Sequence, residues 1–178
     1  MSNFKPNLTP KYILRNGFGG TYWRPLKGCV TGNDLTDDYL DYPSQYYNGI
    51  KKEDITKSYD KYDKFYNKYK VKTGSTYEFW CEKGWIKETH ERGWYQWYVG
   101  YYYGKRTAYD DDEIKRWERF AGPKGRFRLH LITKIHKAGG KWDDETISPK
   151  LRQNLLEWGY KLTKKDYDTE IKRRSKPK

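Results

Sequence analysis

Aliphatic side chains are scarce in this chain. Its 178 residues include 9 Ile, 11 Leu, 3 Val and 1 Met. Leu, Ile, Val and Phe together make up about 16%, below the roughly 20% that, with high net charge, marks disordered sequences. Long apolar runs are missing as well. No stretch approaches the roughly 18 continuous apolar residues of a membrane-spanning helix, which argues against a membrane partner. The opening Met1-Ser2-Asn3-Phe4-Lys5-Pro6 lacks the basic-then-apolar order of a secretory leader. Only two cysteines are present, Cys29 and Cys81, 52 positions apart. That count indicates no disulfide framework and suits a reducing, intracellular setting, nucleus or cytoplasm, or a virion if the source is viral.

Aromatic residues take the place of the missing aliphatics: 8 Trp, 19 Tyr and 6 Phe. Trp and Tyr can each bury on the order of 150–250 Å², so the disorder rule does not apply literally. An aromatic core is expected, with hydroxyl and indole N–H groups that need partners. The second excess is positive charge, +13 overall. Residues 1–60 carry net +1, 61–100 net +3, 101–140 net +5 and 141–178 net +4. Five of the 11 arginines fall between 106 and 128. Such a surface suits a polyanion, through phosphate contacts and counterion release.

Along the chain, residues 1–50 hold most of the turn signals, among them Asn16-Gly17, Gly19-Gly20 and Tyr42-Pro43-Ser44. In 52–70, Tyr59, Tyr62, Phe65 or Tyr66, and Tyr69 recur at helical spacing, which fits a lysine-rich amphipathic helix or an ordered loop. Ser75 with Glu78 reads as a capping box opening a helix that ends at Gly84. Trp94, Trp97, Tyr98, Tyr101 and Tyr102 fall on one helical face, and Gly104 with Lys105-Arg106 closes that helix. Asp110-Asp111-Asp112-Glu113 open another, with carboxylates at the positive pole of the dipole. Its apolar face is Ile114, Trp117, Phe120 and Ala121. Gly122-Pro123-Lys124-Gly125 breaks it before a helix carrying Phe127, Leu131, Ile135 and Ala138. Ser148 as N-cap and Pro149 in the first turn start a last helix, with Leu151, Leu155, Trp158 and Leu162 in register. The expected fold is mainly α, a compact aromatic-cored helical domain with a loop-rich N-terminal third and a candidate helix-turn-helix at 110–138. Residues 1–50 form a segment packed on the domain, 51–165 the helical core, and 166–178 a basic flexible tail.

The segment 110–138 has the spacing of a groove-reading element. Its second helix would present Arg126, Arg128, His130, Lys134 and Lys137, with Lys115, Arg116, Arg119 and Lys124 beside them. An ordinary helical hairpin with a solvated basic face has the same pattern. The run from Gly93 to Arg106 holds seven aromatics followed by two cations. Trp94, Trp97, Tyr98 and Tyr101 are core residues by spacing. Tyr95 and Tyr103, on the opposite side, with Lys105 and Arg106, are candidates for stacking and phosphate contact with nucleic acid. Asp111 and Asp112 of the acidic triplet opened by Asp110, with His90, are candidates for a metal-assisted phosphodiester site, and further carboxylates sit at Asp143-Asp144-Glu145. An acidic triplet before a helix is more simply a cap, so neither a metal nor another cofactor is expected. Cys29, Cys81 and the three histidines show no metal-ligand spacing. Phe18-Gly19-Gly20-Thr21 lacks the phosphate-loop lysine.

Several of these pieces occur together elsewhere. Phe18-Gly19-Gly20-Thr21-Tyr22-Trp23-Arg24-Pro25, Trp80, Gly84-Trp85-Ile86, Gly93-Trp94-Tyr95-Gln96-Trp97-Tyr98, Tyr101-Tyr102, Gly104-Lys105-Arg106, Asp111-Asp112 and Ile114-Lys115-Arg116-Trp117 resemble an uncharacterised protein family found in bacteria, fungi, plants and large DNA viruses. The match covers roughly residues 17–128. Lys105 stands where that pattern favours Arg, and the aromatic run is longer here. The resemblance brings no activity with it; it implies that the aromatic run and the Arg-Trp helix belong to one unit. The expectation from the sequence is a non-enzymatic nucleic-acid-binding protein, DNA favoured over RNA. The alternatives are a metal-dependent enzyme acting on nucleic acid and a packaging protein of a large DNA virus.

Overall fold

A computed structural model describes residues 2 and 4–177. Among these described residues, eight α-helical segments, linked by turns and one short strand pair, enclose a single cluster of buried residues. The fold is mainly α, and its core is aromatic. α1 (Pro10–Asn16) opens on Thr9, whose Oγ1 accepts the Tyr12 N–H at 3.2 Å. Pro10 occupies the first turn, where a missing N–H costs no intrahelical bond. After a tight turn at Phe18–Gly20 come β1 (Leu26–Lys27) and β2 (Asp34–Leu35), antiparallel with Leu26 opposite Leu35. The four-residue α2 (Ser44–Tyr47) follows.

Residues 52–70 are an ordered loop rather than an amphipathic helix. Short 3-10 turns at Lys52–Asp54, Tyr59–Lys61 and Lys64–Tyr66 send the tyrosines to separate partners. The Tyr66 hydroxyl donates to the Leu14 carbonyl at 2.8 Å. The buried Asn67 side chain organises this loop. Its Oδ1 accepts from the Gly19 N–H at 2.8 Å, and its Nδ2 donates to the Tyr62 hydroxyl and the Val71 carbonyl, both at 2.7 Å. Gly19 is required here: its φ is +59°, and a Cβ would stand 2.5 Å from the Tyr62 ring.

The later helices are α3 (Tyr77–Glu82), α4 (Trp94–Tyr102), α5 (Asp110–Ala121), α6 (Arg126–Ala138), α7 (Pro149–Glu157) and α8 (Lys164–Arg174). α5 and α6 form the helix-turn-helix spacing read at 110–138. Their connection is tight, since a Cβ on Gly125 would meet the Phe120 backbone at 2.6 Å. The core chemistry follows from the aromatic substitution. The indole N–H groups of the buried tryptophans each reach an acceptor: Trp94 to the Glu113 carbonyl (3.1 Å), Trp97 to Asp110 Oδ1 (2.8 Å), Trp117 to the Trp158 carbonyl (2.7 Å) and Trp23 to the Tyr46 hydroxyl (3.0 Å). Buried hydroxyls do the same, Tyr22 donating to the Arg92 carbonyl, Tyr95 to that of Pro10 and Tyr98 to that of Leu8. An aromatic core is thus also a polar network, with its burial cost met by partners.

Four local expectations are corrected. The cap of α3 is Thr76, whose Oγ1 accepts the Phe79 N–H; Ser75 Oγ instead accepts the Trp80 indole N–H at 2.8 Å. Ser148 stands at the N-cap of α7 but makes no side-chain cap bond, because its backbone is left-handed (φ 50°). The two cysteines are not free thiols. Cys29 and Cys81 form a disulfide, with Cα atoms 6.3 Å apart, made by packing of the strand-pair region against α3. Lastly, much of the basic tail is helical. Thr163 caps α8, and Arg174 donates to Thr133 Oγ1 of α6 at 2.9 Å.

Candidate functional site

A cleft of about 370 Å³ lies where several parts of the chain meet. The 18–24 segment contributes Phe18, Tyr22 and Arg24, and the turn at 59–62 contributes two tyrosines. α3 and the loop after it add Tyr77, Trp80 and Trp85. α4 supplies Trp94 and Tyr95; α5 and α6 supply Arg116, Phe120, Arg126 and Phe127. α7 and its C-terminus bring Asn154, Glu157 and Trp158. Gly74, Ser75 and Arg126 on its rim are exposed, whereas Tyr22, Trp94, Tyr95 and Glu157 are buried. The volume falls within the range of small-ligand sites, and the lining is the usual mix of apolar wall and few polar groups.

Three arginines at the cleft lie over aromatic rings. Arg126 is above Phe120 and Phe127, at 5.1 and 5.0 Å to their centroids. It makes no hydrogen bond or ion pair among the described residues. Arg116 stands between Trp85 and Trp158, at 5.5 and 5.6 Å, and is anchored to both Glu113 oxygens. Arg24 lies 5.3 Å from the Tyr59 centroid and donates to the Thr21 carbonyl. Burial lowers its pKa from the usual guanidinium value, yet arginine stays charged at any physiological pH. A fourth, Arg92, is structural. It is clamped to both Asp38 oxygens at 2.8 and 2.7 Å and to the Tyr22 and Arg24 carbonyls at 2.9 and 2.7 Å, which fixes the 22–24 wall.

Glu157 is the one carboxylate of the cleft. Its Oε2 accepts from Thr73 Oγ1 at 2.9 Å and from Gln153 Nε2 at 3.0 Å, and the carboxylate also takes the Phe18 N–H. Burial outweighs those three bonds and pushes its carboxyl up to about 7. Burial likewise raises the Tyr62 hydroxyl to about 12 and Tyr22 well above its usual value, so both stay neutral donors.

The residues singled out in the sequence fall into distinct environments. Arg116 and Arg126 line the cleft. On α6, Arg126, His130, Lys134 and Lys137 are exposed at spacings of four, four and three, so one basic stripe starts at the cleft and runs down the helix. Lys115, Arg119 and Lys124 are exposed nearby in sequence. Arg128, expected to face phosphate, is buried instead. Its Nε donates to the Ala121 carbonyl at 2.8 Å, its Nη1 lies 3.6 Å from Asp166, and its guanidinium covers the Tyr160 ring at 4.0 Å. Tyr95 is also a core residue, since α4 is buried on nearly every side; its hydroxyl sits 2.7 Å from that of Tyr46. Tyr103 is half-buried against Tyr46 and Tyr102. Lys105 reaches the Thr89 carbonyl, and Arg106 folds over Tyr101 at 3.8 Å.

The three candidates for a metal-assisted site do not converge. Asp111 and Asp112 are exposed in the first turn of α5. His90 is buried, with Nδ1 on Thr89 Oγ1 at 2.8 Å and Nε2 3.5 Å from Glu113. Among the described residues no three His, Cys, Asp or Glu side chains are grouped as metal ligands. No helix among them is long and apolar enough to cross a membrane.

Sequence reasoning missed Arg24, Tyr59, Tyr62, Trp80, Trp85, Asn154 and Glu157 as parts of one site. One signal was available: Asn154 falls on the apolar stripe of α7 beside Leu151, Leu155 and Trp158, a polar side chain on a face that should be apolar. Comparison with protein-family models, curated proteins and solved structures finds no match to this chain.

Proposed function

We propose that this is a non-enzymatic nucleic-acid-binding protein that seats an unpaired base in the aromatic cleft. The observation that carries the reading is the cleft itself, an aromatic-walled space whose open side bears Arg126, an exposed arginine with no hydrogen-bond or ion-pair partner among the described residues. Every base has a π-face, and stacking on aromatic side chains contributes about 1–3 kcal/mol per base. A base in the cleft would leave its phosphates near Arg24, Arg116 and Arg126, and the strand would continue along Lys134 and Lys137 of α6. An unpaired strand fits this arrangement better than a duplex, whose bases are stacked on one another. DNA remains the favoured polymer, with RNA the comparison.

Fluorescence anisotropy with labelled single-stranded DNA, the same sequence as RNA, and the DNA duplex tests the proposal. The single DNA strand is expected to bind more tightly than the duplex. Its log affinity should fall linearly with log salt, with a slope of about −0.7 per neutralised phosphate. Lys134→Ala should weaken binding of every sequence alike and flatten that slope by about 0.7. Absent binding, or binding indifferent to salt, would overturn the reading.

A further inference from the structure

Most polar groups around the cleft are already engaged by the protein. Tyr22 donates to the Arg92 carbonyl, Tyr77 to that of Glu91, and the Trp80 indole to Ser75. Glu157 accepts from Thr73, Gln153 and the Phe18 N–H, so its bonds join three parts of the cleft wall to one another.

Asn154 is different. Its half-buried side chain lines the cleft, one turn of α7 from both Glu157 and Trp158. Its amide has no hydrogen-bond partner among the described residues. A carboxamide carries an acceptor and a donor side by side. A ligand that displaces solvent from this wall has to replace the bonds that water made to both groups.

An unpaired base has the matching edge, whichever base it is. Adenine sets its 6-amino group beside N1, and cytosine its 4-amino group beside N3. Guanine sets N1–H beside O6, and thymine or uracil sets N3–H beside O4. Each is one donor next to one acceptor, and an amide flipped about its terminal bond meets either order. In a duplex the same edge is used up by pairing. We infer that Asn154 bonds the Watson–Crick edge of any unpaired base in the cleft, so that the site takes single strands without regard to sequence. This rests on the base-seating reading above. Stacking is sequence-tolerant for the same reason, since every base has a π-face.

The test uses short DNA strands of abasic units carrying one central adenine, cytosine, guanine, thymine or N3-methylthymine, and the same strand with no base, measured by anisotropy. One base per strand prevents a neighbour from taking its place. Each of the four natural bases should raise affinity at least about tenfold over the all-abasic strand, and the four should agree within about threefold. Asn154→Ala should weaken all four by about fivefold and leave the all-abasic strand unchanged, a result that a merely structural role would not give. N3-methylthymine still stacks but has lost its donor, so it should bind the parent protein about fivefold more weakly than thymine does; this comparison needs no variant and carries the test if thermal melting shows that Asn154→Ala does not fold. Equal weakening of the all-abasic strand by Asn154→Ala, undiminished binding of N3-methylthymine, or a tenfold preference for one base overturns the inference and leaves base seating standing. An all-abasic strand that binds as tightly as the others overturns both.

Discussion

Glu157 links the fold to pH in a way opposite to most surface carboxylates. The folded protein holds its proton up to about pH 7, whereas the unfolded chain releases it near the ordinary value of 4.5. Between those values the folded state binds more protons, so stability falls as pH rises through that window and levels off above it. The loss should be on the order of 3 kcal/mol. Urea unfolding from pH 5 to pH 8 should show this fall in the parent and a much smaller one in Glu157→Gln; an unchanged slope in the variant would assign it elsewhere. Glu170 works in the opposite sense: hydrogen bonds from Arg173 hold it down to about 2, so its contribution is present above 4.5 and lost as pH falls toward 2. Two neighbouring arginines separate surface from core in the same way. Arg126→Ala should weaken nucleic-acid binding with little change in Tm. Arg128→Ala should lower stability by about 2–4 kcal/mol, because it leaves the Ala121 carbonyl unpaired and strips the Tyr160 ring of its cover. Equal Tm losses for both would contradict that division. Sequence reading grouped the two because it sees charge and spacing; burial depends on α8 and Tyr160, far along the chain.

At the scale of elements, the helices with strong periodicity were legible. α4, α5, α6 and α7 arise where the spacing of Trp, Leu and Ile places them, since the amphipathic face of α5, α6 and α7 needs only local order to be read, whereas α4 is buried on nearly every side, so its opposite face was misread. The stretch 52–70 has the same spacing of tyrosines, yet Asn67 and Gly19 draw its backbone into turns. The cysteine pair was illegible for a similar reason, because spacing along the chain says nothing about tertiary packing. That disulfide has a mechanical role. α3 is only six residues long and carries Tyr77 and Trp80 into the cleft wall, and the Cys29–Cys81 bond ties it to the strand-pair region. Cys81→Ser should cost about 2–4 kcal/mol of stability and speed amide exchange in 75–86 more than in α7. Uniform exchange in the two segments would show that α3 is held by packing alone.

Over the whole molecule, the cleft is assembled from segments spanning Phe18 to Trp158, which is why no contiguous motif announced it. The sequence did carry its two ingredients, the excess of aromatics and the basic block after residue 100, but assigned the tryptophans to the core alone. Trp94 and Trp158 serve both roles, packed at 4.7 Å between centroids while also lining the cleft. The central claim is that a base enters this space. It is tested most directly by 2-aminopurine placed in the middle of an oligothymidine, whose emission falls when the base stacks on an aromatic side chain. Saturable quenching is predicted in the parent protein, along with a loss of about 1–3 kcal/mol of affinity and of most of the quenching in Trp85→Ala. Binding detected by anisotropy with 2-aminopurine emission unchanged would contradict the claim and move the nucleic acid to the outer face of α6.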